Sequence, residues 1–143
     1  MNVQPYVFLP GTCQQAIDFY CAVLGATVQF KMTYAEAPAS SASAECPAAP
    51  PDGIMHANLL VGTTQLMMSD DPTPDQKPHA GYALSIATDD VAQGKTWFDG
   101  LSDGGTVRMP WGETFWAQGF GMLTDRFGVP WMVNVEKTPG STS

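Results

Sequence analysis

The chain has 143 residues, the size of one ordinary domain and enough to bury roughly two-thirds of its unfolded surface. Six Lys and Arg stand against fourteen Asp and Glu, a formal net charge of −8, which repels a phosphate backbone and excludes nucleic acid as a partner. No stretch reaches the ~20 apolar residues that span a bilayer, and the start MNVQPYVFLPG carries no basic leader, so a cytoplasmic protein with no membrane partner is expected.

Three cysteines are present. Cys13 and Cys21 sit on one predicted helix, about 12 Å apart along its axis, beyond the ~7 Å Cα separation that a disulfide tolerates. Cys46 lies in a Pro/Ala/Ser tract, and no C-x-x-C pair signals zinc or redox chemistry. Reduced, incidental thiols follow.

In chain order, VQPYVFLPG reads as a strand ending at a Pro-Gly break. TCQQAIDFYCAVLG places Ala16, Ile17, Phe19, Tyr20, Val23 and Leu24 at helical spacing, with Thr12 to cap the helix and Gly25 to end it. ATVQFKM is a strand. Residues 35–53, AEAPASSASAECPAAPPDG, hold too few large apolar groups to repay ordering and are expected to be a mobile loop. IMHANLLVGTTQLMMSD reads as a hairpin turning near Gly62, and 71–80 as a linker. Asp70, Asp71, Asp89 and Asp90 fall at strand ends or helix starts and are expected to cap.

After the linker the pattern repeats. GYALSIATDDVAQGKTWFDGLSDGGTVRM again gives strand, cap, helix with paired aromatics, glycine and a strand beginning Thr-Val. Tyr6-x-Phe8 matches Tyr82-x-Leu84 at an offset of 76, Phe19-Tyr20 matches Trp97-Phe98 at 78, and Thr27-Val28 matches Thr106-Val107 at 79. Two βαβββ halves are expected: repeat one over 1–70 and repeat two over 81–137, with a tail at 138–143.

That order, with AIDFYCAVLGATV in the first half and GMLTDRFGVPWMV closing the second, resembles the vicinal-oxygen-chelate superfamily of glyoxalases, extradiol dioxygenases and bleomycin-resistance proteins. PYVFLPGTCQQAIDFYCAVLGA, IMHANL, LMMSD and ETFWAQGFGMLTDRFGVPWMVNVE are similar to its PhnB-like branch, often labelled 3-demethylubiquinone-9 3-methyltransferase-like. The resemblance implies an α+β fold: two βαβββ repeats forming curved mixed sheets around a cavity, helices on the convex side, in a single domain over 1–143 that pairs as a homodimer. It implies a fold and not a function.

Strand alternation assigns the faces. Met55, Ala57, Leu59 and Val61, Leu66 and Met68, and Val129, Trp131, Val133 and Val135 meet the helices. Pro5, Val7 and Leu9, Ile54, His56, Asn58 and Leu60, Gln65, Met67 and Ser69, Gly81, Ala83 and Ser85, and Met132, Asn134 and Glu136 face the site. Glyoxalase-type relatives hold a divalent metal with His, Glu or Gln at four inward positions. Carried onto this chain these fall on Pro5, Met67, Gly81 and Met132, none a suitable donor, so no metal and no cofactor is expected. An iron triad needs two histidines and a carboxylate, and of the two histidines present, His56 and His79, the second lies in a Pro-rich linker, so dioxygenase chemistry is not expected. No G-x-G-x-x-G turn supports nucleotide binding.

The candidate catalytic residues are His56, an inward side chain whose type titrates near neutrality, and Glu113, a hairpin carboxylate among aromatics. The candidate ligand-binding set is Asn58, Met67, Ser69, Trp111, Phe115, Trp116, Phe120, Met132 and Asn134, since aromatic faces stack on rings and attract cations. The expected activity is metal-independent binding or turnover of a small aromatic or cationic molecule in an aromatic-lined cavity. Two other readings stay open: a metal-dependent lyase or isomerase using non-standard ligands such as His56 and Glu136, and a methyltransferase, as the family label suggests.

Overall fold

The structure, a computed structural model, describes residues 1–36, 51–71 and 78–137. The chain divides into two compact units, Met1–Lys77 and Pro78–Ser143. The loop expected to be mobile at 35–53, the linker at 71–80 and the tail fall largely outside the described residues, as does Cys46.

The first unit holds β1 (Tyr6–Leu9), α1 (Cys13–Leu24), β2 (Thr27–Thr33), β3 (Ile54–Val61) and β4 (Thr64–Asp70). The strands form one sheet in the order β1-β4-β3-β2, with β1 parallel to β4 and the other pairs antiparallel. Cys13, Ala16, Ile17 and Tyr20 are buried at helical spacing, and α1 packs that stripe on one face of the sheet. Ala57, Leu59, Leu66 and Met68 meet it, each at most 3 % exposed. Gly25 ends α1 at φ 69, and its N–H donates to the Cys21 carbonyl, a left-handed cap that glycine adopts without strain.

The start of α1 is capped differently from expectation. The Thr12 hydroxyl makes no cap bond and is buried without a hydrogen-bond partner. Asp70, at the end of β4, accepts from the Cys13 N–H at 2.9 Å and, through its other oxygen, from the Ile54 N–H at 2.8 Å. One carboxylate 5 % exposed thereby closes the helix and starts β3.

The second unit repeats the plan with β5 (Leu84–Thr88), α2 (Val91–Ser102), β6 (Thr106–Gly112), β7 (Ala117–Thr124) and β8 (Pro130–Glu136). Its sheet runs β5-β8-β7-β6. Asp90 caps α2 by accepting from the Ala92 and Gln93 N–H groups. The TDRFGVPW signature is a clasp: Asp125, 3 % exposed, accepts from Phe127 N at 2.9 Å, Val129 N at 3.0 Å and Trp131 Nε1 at 2.9 Å. The buried stripe Val129, Trp131, Val133 and Val135 follows the alternation read from the sequence.

The two sheets share an irregularity. β2 shifts register between Val28 and Phe30, and β6 between Val107 and Met109, 79 residues later. Bulges of this kind kink and twist an edge strand. Across the face opposite the helix, Phe30, Asn58, Met67 and Tyr6 form one cross-strand row in the first sheet. Met109, Met122, Met132 and Ser85 form its counterpart in the second.

These rows correct two readings. The first strands correspond as Tyr6 to Ser85, an offset of 79 rather than 76, because the shorter offset joins Phe8 on the open face to Leu84, which pairs with buried Trp131. In β1 it is Val7 and Leu9, 2 % and 0 % exposed, that are buried, while Tyr6 and Phe8 take the open face beside Met67 and Ser69. Ile54 also departs from the alternation and is buried, at a point where the β2–β3 register shifts between Met32 and Thr33.

Candidate functional site

His56 stands on β3 in the open face of the first sheet. The Tyr6 hydroxyl and His56 Nδ1 share a hydrogen bond of 3.0 Å. The imidazole lies 5.6 Å from the Tyr6 ring centre and 5.8 Å from that of Phe30, and Tyr6 is 4.8 Å from Phe8. Tyr6, Phe8 and Phe30 are 38, 50 and 45 % exposed, so the rings beside the imidazole lie on the accessible side of the sheet. None of the three rings stands in the set read from the sequence. The signal was present in the alternation of β1, but its phase depends on which residue of β1 pairs with Met67, and that is a tertiary fact.

Beside the rings runs a line of uncharged amides. Gln4 Nε2 and Asn58 Nδ2 both donate to Gln65 Oε1 at 3.3 Å, and Gln65 Nε2 donates to Gln29 Oε1 at 3.4 Å. Asn58 keeps its Oδ1 buried with no hydrogen-bond partner, an arm of the amide that a bound molecule would satisfy. Met67 is half-buried in the same row, and Ser69, 5 % exposed, sits beside Phe8. The first sheet thus gathers His56, Asn58, Met67 and Ser69 on one face.

In the second unit the aromatic residues separate into two groups. Phe115, Trp116 and Phe120 form a run of edge-to-face contacts, 4.8 and 5.4 Å between ring centres, and are 88, 47 and 6 % exposed. Trp111 belongs elsewhere. Its indole covers Gly119, where an added Cβ would fall 2.3 Å from the ring, reaches Gly94 of α2, and meets Phe98 in a tilted contact with ring centres 5.6 Å apart. Trp111 is a wedge between α2 and β7, and the glycines beneath it exist to admit the ring. Met132 and Asn134 occupy the open face, and Asn134 Oδ1 is buried without a partner. Glu113 is exposed and faces Lys137 at 3.9 Å.

Among the described residues both thiols, Cys13 and Cys21, are held toward the protonated form. Burial, with Asp70 adding repulsion, pushes Cys13 up to about 12, and burial raises Cys21. In the second unit Tyr82 shares a hydrogen bond with His79, and burial together with the Asp125 charge raises its phenol.

Among the described residues no three His, Cys, Asp or Glu side chains gather to hold a metal. Pro5 and Gly81 precede β1 and β5, and the open-face residues directly beside Met67 and Met132 are Tyr6 and Ser85. Tyrosine, serine and two thioethers do not make a site for a hard divalent ion, so the donors present do not fit the metal of the glyoxalase type. Among the described residues no helix is long and apolar enough to cross a membrane.

A four-stranded mixed sheet with one helix on one face, built twice with the same bulge, defines the class. The family model of the Glyoxalase/Bleomycin resistance protein/Dioxygenase superfamily matches residues 3–133, and the chain belongs to that superfamily. It is 42 % identical to protein YjdN of Escherichia coli K12 over 142 residues, 96 % of this chain and 97 % of the relative. Protein PA1353 of Pseudomonas aeruginosa superposes with a TM-score of 0.83 at 38 % identity, covering 96 % of this chain and 99 % of that one. A Bacillus cereus PhnB protein, provisionally described as a 3-demethylubiquinone-9 3-methyltransferase, superposes with a TM-score of 0.78 at 18 % identity, covering 94 and 98 %. At that identity the likeness is one of fold.

Proposed function

We propose that this protein binds a small aromatic or cationic molecule without a metal, on the open face of the first sheet, with His56 handling protons on it. The observation that carries the reading is the Tyr6–His56 hydrogen bond set among exposed rings. With Nδ1 engaged by the phenol, Nε2 is the nitrogen left for a ligand. When Tyr6 donates, the neutral ring keeps its proton on Nε2 and offers it to a carbonyl oxygen; when Nδ1–H donates, Nε2 is a base. Phe30 and Phe8 supply stacking faces, and the spare arm of Asn58 fixes orientation. The net charge of −8 favours neutral and cationic ligands over anions.

The test is a thermal-stabilisation screen of aromatic cations, neutral aromatics and aromatic anions. A ligand at 100 times its dissociation constant adds about 2.7 kcal/mol to stability. Cations and neutral rings should stabilise the wild type, and Phe30→Ala should abolish the effect. Stabilisation that survives Phe30→Ala and Tyr6→Phe together would place the ligand elsewhere.

The working unit we infer is a homodimer in the cytoplasm. Open sheet edges and exposed apolar groups such as Phe8, Phe30 and Met109 support the pairing, and the free Cys13 and Cys21 support a reducing compartment.

A further inference from the structure

Three methionines stand side by side on the open face of the second sheet. Met109 pairs with Met122 across β6 and β7, and Met122 with Met132 across β7 and β8. Cross-strand partners share a face with their Cβ atoms ~4.5–5.5 Å apart, so the three thioethers rise from a line about 10 Å long. The sequence neighbours of Met122 and Met132, namely Leu123, Trp131 and Val133, are buried on the helix side, which leaves those methionines, and Met109 paired with Met122, facing away from the core. Met109 is 43 % exposed and the other two are half-buried. Each side chain has three rotatable bonds, so the two flanking thioethers can lean over Met122 and meet at one point.

The corresponding row of the first sheet reads Phe30, Asn58, Met67 and Tyr6, and the thioether set therefore belongs to the second unit alone. Thioether sulfur is an uncharged, soft donor that serves Cu(I) and discriminates against magnesium, calcium and manganese. The fourth member of the row is Ser85, and the next row carries Phe120 and Asn134; the charged neighbour is Arg108, which precedes Met109 on β6 and does not titrate over the range tested. The chain's net charge of −8 draws a cation toward a surface where three soft donors stand side by side.

We propose that Met109, Met122 and Met132 form a binding site for Cu(I). The ion is held by three sulfur lone pairs, with no change of oxidation state and no proton released. A thiolate site behaves differently, because its ligands must first lose protons and its affinity climbs with pH. The proposal does not rest on the organic ligand proposed for the first sheet, and its failure leaves that reading untouched.

Full-length protein is titrated anaerobically with Cu(I) in competition with bicinchoninate, and selenomethionine-labelled protein is examined by X-ray absorption at the copper edge. One Cu(I) per chain, a Cu–Se scattering shell and an affinity flat from pH 5.5 to about pH 7.5 are the expected results. Met122→Leu, an apolar swap of similar volume that folds are expected to tolerate, should weaken binding at least tenfold with an unchanged circular dichroism spectrum. The variant Met55→Leu, on the other sheet, should bind as the wild type does. Absence of a Cu–Se shell, an affinity rising about tenfold per pH unit, or full binding by the Met109→Leu/Met122→Leu/Met132→Leu protein would overturn the proposal. So would loss of binding in Cys21→Ser with the methionines intact.

Discussion

Trp111 and Trp116 lie five residues apart and do opposite things. Trp111 fills the space over Gly119 and against Phe98, so Trp111→Ala should lower unfolding stability by about 2–3 kcal/mol, a little below the ~3–5 of a fully buried aromatic. Gly119→Ala should also destabilise, by about 1–3 kcal/mol or more, since its new methyl would stand 2.3 Å from the indole. Trp116, 47 % exposed, should cost less than about 1 kcal/mol when truncated; urea unfolding of the three variants checks the order. Cys13 supplies a pH dependence of definite sign. Its folded pKa is raised to about 12 from 9.0, so its contribution is complete below pH 9 and is lost as pH climbs from there toward 12. Stability should fall with a slope of up to about 1.4 kcal/mol per pH unit over that range. Cys13→Ala should flatten the slope in unfolding curves measured between pH 8 and 11.

At the scale of elements, buried carboxylates close helix ends and turns, Asp70 across pieces of chain distant in sequence and Asp125 within one turn. Asp70 ties the first turn of α1 to the start of β3, and Asp125 ties the turn before β8 to the Trp131 indole. Hydrogen bonds to a charged group are worth about 1.5–3 kcal/mol each, and their loss leaves buried donors unpaired. Asp70→Ala and Asp125→Ala should therefore each cost about 3 kcal/mol or more in denaturant unfolding. Asp90→Ala removes an exposed cap and should cost about 0.5–2 kcal/mol. The helix start was visible in the sequence as Thr12 followed by an amphipathic run, yet the donor bond goes to a residue 57 positions away. Local spacing locates a helix end; only packing brings a distant acceptor to it.

For the whole molecule, the repeated bulge makes duplication a structural statement: both edge strands slip at the same place, 79 residues apart. Within that shared scaffold the two open faces differ, one with His56, aromatic rings and amides, the other with thioethers. His56→Gln should leave binding of an aromatic cation largely intact while removing turnover and its dependence on pH, read by stopped-flow or steady-state rates once a substrate emerges from the screen. An unchanged rate would pass the role to Glu113. The homodimer inferred above predicts twice the chain mass by light scattering at micromolar concentration, and a monomer there would refute it.

The sequence by itself determined the order of elements, the helix stripes and the buried faces of β4 and β8, because periodicity of 3.6 or 2 is a local property that a one-dimensional pattern records. It also carried the family, and it marked His56, Asn58, Met67, Met132 and Asn134 as open-face residues. What only the tertiary structure decided is the phase of β1, the partner of the α1 amino end, and which of Trp111 and Trp116 packs between α2 and β7. Each depends on which residues stand opposite one another across strands far apart in the chain, and a one-residue change of register turns every side chain to the other face.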